Sequence, residues 1–300
     1  MSTARDALSQ VLSLLASEHR RATSFWRLWT YMLRTLPEVD RELQTSEDRR
    51  KEAWRKLIVR SRQFQPVDGV DAVYIVNTPY SSYLTVSDEQ IVQEANPWAV
   101  VSHLSALIHH QLVDDIPTAL YLTIFKPIDY SRVPLGLYPE EWAEINPPKA
   151  QTPNKLDGTQ IVWTRISNKY NWGIEIAESN GVPIYITDLE RTLLDALRHP
   201  QKSGGIQKVL QAFSESRDRL SLDQIIQYTD RLAIKILRQR VGYILEEMGY
   251  SHPRMDKWKG SLLRGGSAKL IAENEYYSTY SKTWNISLNV DFDPHEILNG

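Results

Sequence analysis

Cysteine is absent from the 300 residues. Disulfides, thiolate zinc sites and cysteine nucleophiles are excluded together, and a reducing compartment is the expected setting. No apolar run approaches the roughly 18 residues that a membrane-crossing helix needs. Met1 to Ser17 carries Arg5, Asp6 and Gln10 within its apolar pattern, so it reads as an amphipathic helix and not as a signal peptide. The expected location is the cytoplasm, with no membrane partner. The chain also lacks a P-loop, a dinucleotide glycine signature, a Gly-x-Ser-x-Gly elbow and a His-Glu-x-x-His helix. Excess charge of one sign is missing too, since 35 Lys and Arg stand against 37 Asp and Glu.

What is present suffices for a buried core and two domains: 42% of the residues are hydrophobic and 24% charged. The near-zero net charge conceals an asymmetry. Residues 1–80 hold 13 basic and 10 acidic side chains, whereas residues 81–300 hold 22 and 27. A mildly basic head and a mildly acidic body suggest different partners for the two parts.

In the head, Leu8, Val11, Leu12 and Leu15 recur at helical spacing. Phe25, Leu28, Trp29, Met32, Leu33 and Leu36 do the same until Pro37 stops the pattern. After a polar link, Thr45 to Asp48 offers helix-start residues, and Trp54, Leu57 and Ile58 mark the buried stripe of a third helix ending near Arg62. At 100° per residue, Arg49, Lys56 and Arg60 fall opposite that stripe and Arg55 nearer its flank, with Arg50, Lys51 and Arg62 adding to the charge. Two apolar segments then flank Asp68-Gly69, which predicts a two-residue hairpin turn. Three helices and a hairpin are the order of a winged helix-turn-helix, whose third helix enters the major groove of double-stranded DNA. The alternative is that these cations are solvated and partly paired with Glu47, Asp48 and Glu52.

From Pro97 onward the pattern alternates, so the expected fold class is α/β of the α+β kind, with domains at 1–80 and 88–300. Trp98 to Leu112 reads as a helix, and Ala119–Phe125, Ile161–Ile166 and Val182–Ile186 read as strands. The stretch from Lys126 to Asp157 is mostly loop. Helices follow over Leu189–Arg198, Ile206–Ser214, Leu222–Arg231 and Ile234–Met248, and Leu270, Ile271 and Trp284–Val290 predict closing β structure. Thr187-Asp-Leu-Glu190 has the pattern of a capping box centred on Thr187. Arg191 and Asp195 stand one helical turn apart, and Ser203-Gly204-Gly205 forms a loop beyond His199-Pro200.

Enzyme chemistry finds weaker footing. Gly265-Gly-Ser267 with Asp291-Phe-Asp293 has the residue types of a nucleotidyltransferase's turn and metal-binding pair, but the separation is too long for that compact unit. His109-His110 with Asp114-Asp115 could be drawn as a metal cluster, yet adjacent helical histidines point about 100° apart. Ile174-Glu-Ile-Ala-Glu178 supplies carboxylates without the lysine that a nuclease strand wants. The expectation is a non-catalytic protein with no cofactor and no metal.

Three segments together resemble the AbiEi family of antitoxins from abortive-infection toxin–antitoxin systems. The first is Val182-Pro-Ile-Tyr-Ile-Thr-Asp-Leu-Glu-Arg-Thr-Leu-Leu-Asp-Ala-Leu-Arg-His-Pro200 with Ser203-Gly-Gly-Ile206 after it. The others are Asn96-Pro-Trp-Ala-Val-Val-Ser-His-Leu-Ser-Ala-Leu107 and Arg240-Val-Gly-Tyr-Ile-Leu-Glu246. The motifs fall in the family's order and span most of residues 65–290. Asp188, Glu190, Arg191, Asp195, Gly204 and Gly205 are the motif positions, with a structural or toxin-neutralising role. The resemblance implies a winged-helix head that represses its own operon and a body that neutralises a cognate nucleotidyltransferase-like toxin. A homodimer is compatible with it. It also implies that a cut near residue 85 leaves DNA binding in the head and removes rescue from the toxin. Gly69-Val-Asp-Ala-Val-Tyr74 carries more residues than the family's wing strand, and the second helix is longer. An enzyme of nucleotide or nucleic-acid chemistry, or a defence-operon repressor without a toxin, are the alternatives.

Overall fold

The computed structural model describes residues 2–35, 46–79, 83–262 and 268–299. The fold is mixed α/β of the α+β kind, with twelve helices and three sheets among these residues. None of the helices is long and apolar enough to cross a membrane. The chain forms two compact units, neither of them continuous in sequence. The first comprises Met1–Val100, Thr123–Lys169 and Ile176–Tyr185; the second comprises Val101–Leu122, Tyr170–Glu175 and Ile186–Gly300.

The first unit begins with α1 (Ser2–Ser17), β1 (Ala22–Ser24) and α2 (Phe25–Thr35). The link from Leu36 to Thr45 lies outside the described residues. Then come α3 (Glu47–Ser61), β2 (Phe64–Pro66), β3 (Val73–Val76) and α4 (Asp88–Ala95). The stripes expected from helical spacing are those that pack: Leu8, Val11, Leu12 and Leu15 of α1 join Leu28, Trp29 and Met32 of α2 and Trp54 and Ile58 of α3 in one core. Burying each such side chain is worth about 1.5–3 kcal/mol. Arg62 ends α3 in the left-handed region, which turns the chain into β2.

The three short strands form an antiparallel sheet in the order β1-β3-β2, with Ser24 opposite Val73 and Phe64 opposite Val76. The predicted two-residue turn is corrected here. Because Pro66 pairs with Tyr74, the connection takes all of residues 67–72, with Gly69 and Ala72 both at positive φ. A hairpin turn at Asp68-Gly69 would have placed Val70 in a ladder, whereas Val70 is buried within the loop.

Residues beyond 80 contribute to the same core. Trp98 and Trp142 belong to it, and Trp142, on α6 (Pro139–Ala143), lies 6.1 Å from the ring centroids of both Trp26 and Trp98. The expected division between residues 80 and 88 is therefore not a boundary of either compact unit.

Six strands form the largest sheet, in the order β6-β7-β5-β4-β9-β8. They are β4 (Val100–Val101), β5 (Ala119–Lys126), β6 (Lys155–Leu156), β7 (Thr159–Ser167), β8 (Ile174–Ser179) and β9 (Val182–Thr187). The expected helix over Trp98–Leu112 is replaced by a turn, β4 and a shorter helix α5 (His103–His109). Val100-Val101 is β-branched and pairs in parallel with β9 at Ile186, so sheet pairing overrides the helical pattern there.

In the second unit, α7 (Leu189–Arg198), α8 (Ile206–Glu215), α9 (Leu222–Leu232) and α10 (Lys235–Glu247) lie within two residues of their expected bounds. Two helices were not expected, α11 (Pro253–Gly260) and α12 (Pro294–Asn299). Closing β structure is present as β10 (Ala268–Lys269), β11 (Tyr280–Ser281) and β12 (Ile286–Ser287). Leu193, Leu194, Val209, Phe213, Val241 and Ile244 are among the residues that build this unit's core.

Candidate functional site

The cationic residues of α3 divide into two sets. Arg49, Lys56 and Arg60 are exposed on the face opposite Trp54 and Ile58, as the helical wheel requires. Arg49 and Arg60 form no ion pair with another described residue, and Lys56 lies 3.5 Å from Glu52. Arg62 is exposed beyond the helix end. The other set leans on the aromatic core: the Arg55 guanidinium sits 4.4 Å from the Phe25 ring centroid, and the Lys51 ammonium 5.5 Å from that of Trp29. Lys51 also pairs with Glu47, and Arg50 is half-buried. Lys51 and in part Lys56 are thus paired while Arg49 and Arg60 are solvated, an arrangement that both the DNA reading and the solvated-and-paired alternative describe.

Residues which the sequence reading did not single out tie together β1, α2, α4 and the loop between β2 and β3. Glu94 of α4 is buried, and its carboxylate accepts from the Ser24 amide at 2.9 Å, the Ser24 hydroxyl at 2.7 Å and Arg27 Nε at 2.7 Å. Arg20 adds a longer contact of 3.4 Å. Burial by itself would lower the Arg27 pKa, but Glu94, with Tyr31 and Glu18, raises it. Arg20 is lowered by burial and by the neighbouring Arg27 charge. Both guanidiniums stay charged, since an arginine is protonated far above neutral pH. In the loop over residues 67–72, Gln151 accepts from the Asp71 amide at 2.7 Å and donates to the Asp71 carbonyl at 2.8 Å, and the Phe25 amide donates to the Ala72 carbonyl at 2.8 Å. A signal for Glu94 existed in the sequence, a carboxylate beside Ile91, Val92 and Ala95 on an apolar face; for Gln151 there was none.

The motif residues of the second unit are gathered around the start of α7. The capping residue is Asp188 and not Thr187: its Oδ1 accepts from the Arg191 amide at 2.8 Å. Thr187 is committed elsewhere, its hydroxyl 2.7 Å from that of Thr192, and Glu190 accepts from the Ser221 amide at 2.7 Å. The capping box is thus absent, because β9 runs through Thr187 and its side chain faces inward. Burial raises the Glu190 pKa, against the lowering by the Ser221 amide. Asp188 Oδ2 also accepts from the Tyr228 hydroxyl at 2.7 Å, and burial with this bond pushes Tyr228 up to about 12.

Arg191 is fully buried and pairs with Asp195 at 2.8 Å, as the spacing predicted. Its guanidinium donates to the carbonyls of Tyr170 and Trp172 and lies 4.4 Å from the Trp172 ring centroid. Gly204 and Gly205 both have positive φ, which leads the chain into α8. Asp188, Glu190, Arg191 and Asp195 therefore knot one unit together from inside.

No protein-family model matches the chain, and no curated protein matches it. Among solved structures it is similar to the crystal structure of the RV2827C protein from Mycobacterium tuberculosis, with a TM-score of 0.52 at 12% identity. The similarity covers 94% of this chain and 90% of that one. At that identity the likeness extends to the fold alone.

The remaining candidates have local roles. His110 Nε2 lies 2.8 Å from the Thr187 carbonyl, and Asp115 pairs with Lys208. Among the described residues no three His, Asp or Glu side chains are grouped to hold a metal. Gly265, Gly266 and Ser267 lie outside the described residues. Asp291 accepts from the Tyr277 hydroxyl at 2.7 Å, and Asp293 from the His295 amide at 2.9 Å. Glu175 and Glu178 stand on β8, an edge strand that alternates only weakly between exposed and half-buried residues.

Proposed function

We propose that the chain is a non-catalytic transcriptional regulator and antitoxin of the AbiEi kind, which binds operator DNA through α3 and acts in the cytoplasm. The observation that carries the DNA reading is the exposed row Arg49, Lys56 and Arg60, set opposite the buried Trp54 and Ile58. A helix held by one face and cationic on the other can lie in a major groove, where guanidiniums take phosphates or guanine edges. The order α1-β1-α2-α3-β2-β3 and the sheet order β1-β3-β2 support a winged helix-turn-helix, with residues 67–72 as the wing. The antitoxin half rests on the motifs at 96–107, 182–206 and 240–246 and concerns a nucleotidyltransferase-like toxin.

Gel shifts on the DNA upstream of the gene test the reading. Changing Arg49, Lys56 and Arg60 together to Ala is expected to weaken binding strongly and to flatten the dependence of log K on log salt by up to about 2.7, for three lost phosphate contacts. Unchanged affinity with an unchanged slope would remove α3 from the interface. For the second half, co-expression with the neighbouring gene is the measurement: the reading requires that gene to be toxic alone and silenced by this protein.

A further inference from the structure

Behind α3, on the side away from the exposed row, the first unit forms an open cleft of about 290 Å³. Three cations line it: Lys51 and Arg55 from α3, and Lys149 from the chain after α6. Two of them are fixed by aromatic faces, Lys51 over Trp29 and Arg55 over Phe25. Two carboxylates also line it, Asp71 and Glu94, but Glu94 is already spent on Arg27, Arg20 and Ser24. Arg55 and Lys149 make no ion pair with a described residue. The local balance is cationic, in a chain whose net charge is −2.

A second observation points the same way. Trp29 lines the cleft, is only 2% exposed, and its Nε1–H has no acceptor among the described residues. A buried donor without a partner costs about 1–3 kcal/mol, so it marks a place where a ligand oxygen would be welcome. The lining also includes apolar groups, Trp26, Ile145 and Pro148. Small-molecule sites span roughly 300–1,000 Å³, and the volume here lies at the lower bound, which suits a ligand of mononucleotide size.

We propose that this cleft binds a small anion bearing a planar ring, of nucleoside monophosphate size, with its phosphate on Lys51, Arg55 and Lys149 and its ring against Trp26. The test uses the full-length protein without DNA, so its failure and a failure of the DNA reading are separate results. Tryptophan fluorescence is followed while AMP, GMP, CMP and UMP are added in turn, and inorganic phosphate in a parallel series. The expected result is saturable quenching by at least one nucleotide below ~1 mM, at least about 10-fold tighter than by phosphate. Lys149→Glu and Arg55→Glu, both at exposed positions, should each weaken that nucleotide about 10-fold or more, with unaltered thermal unfolding. The proposal is overturned if no nucleotide saturates, if phosphate binds as tightly as the nucleotide, or if both folded variants bind as the parent does.

Discussion

Gly242 lies inside α10 with ordinary helical backbone, so no turn asks for a glycine there. Trp284 does. A Cβ on residue 242 would stand 2.2 Å from the Trp284 ring, which is fully buried and donates from Nε1 to Glu246 at 2.6 Å. Helix propensity alone makes Ala about 1 kcal/mol better than Gly in a helix interior. Overpacking a rigid buried ring costs about 1–3 kcal/mol, and it should win. Gly242→Ala is therefore expected to lower the urea midpoint at an unchanged slope. In a double-mutant cycle its cost should shrink once Trp284 is replaced by Leu. A stabilised Gly242→Ala protein would show that the indole does not rest on this residue. The glycine was visible in the sequence as part of Arg240-Val-Gly-Tyr, but its reason was not, because the ring that imposes it comes from a distant stretch of chain. Arg191 is similar: its partner Asp195 was legible one turn away, whereas the Tyr170 and Trp172 carbonyls that complete its burial were not.

At the scale of elements, the helices from α7 to α10 and the cationic row of α3 were legible because a 3.6-residue period needs no distant partner to declare itself. Short strands offered no such signal. β1 is Ala-Thr-Ser, β4 is two valines inside an apparently helical run, and β8 has no clean inward face; each exists through pairing across the sheet. The cap of α7 shows how an element start can be placed to within one residue and still be assigned to the wrong side chain. Thr187 and Asp188 both suit an N-cap by type, and the decision falls to β9, which turns Thr187 inward. The two predict different mutants. Asp188→Ala should cost about 1–2 kcal/mol through the lost bond to the Arg191 amide, and more if the Tyr228 hydroxyl finds no new acceptor. Asp188→Asn keeps a capping oxygen and should lie close to the parent in chemical denaturation. An Asn variant as damaged as the Ala variant would mean that the carboxylate charge, and not the cap, holds this end of α7.

For the molecule as a whole, the elements of residues 1–85 share their core with residues further along the chain. Residues 1–85 supply α1, α2, α3 and the small sheet, but the core beneath them is completed by Trp98, Trp142 and Ile145. Among the described residues, the carboxylate bonded to Arg27 is that of Glu94, and the side chain bonded to the Asp71 backbone is that of Gln151. A polypeptide cut near residue 85 would keep the Arg20–Glu18 pair at 2.8 Å but lose Glu94, leaving the Arg27 guanidinium to be buried without its ion-pair partner. Breaking a buried ion pair by removing one partner costs about 3–5 kcal/mol, a large fraction of the 5–15 kcal/mol that holds a typical domain together. Loss of the tryptophan cluster adds to that. The separation implied by the family resemblance, DNA binding in the first 85 residues and rescue in the rest, is thus expected to fail in a particular way. The 1–85 fragment should show no cooperative thermal transition and no saturable shift of operator DNA, while the full chain shows both. Glu94→Gln in the full chain is the finer version. It keeps an oxygen for Ser24 and leaves Arg20 with Glu18, but removes the counter-charge paired with the buried Arg27, so the melting temperature should drop by several degrees with no DNA or toxin needed for the measurement. If the fragment instead folds cooperatively and binds operator as tightly as the full chain, the Glu94 cluster contributes nothing to the stability of these elements, and the role assigned to it in tying β1 and α2 to α4 is wrong.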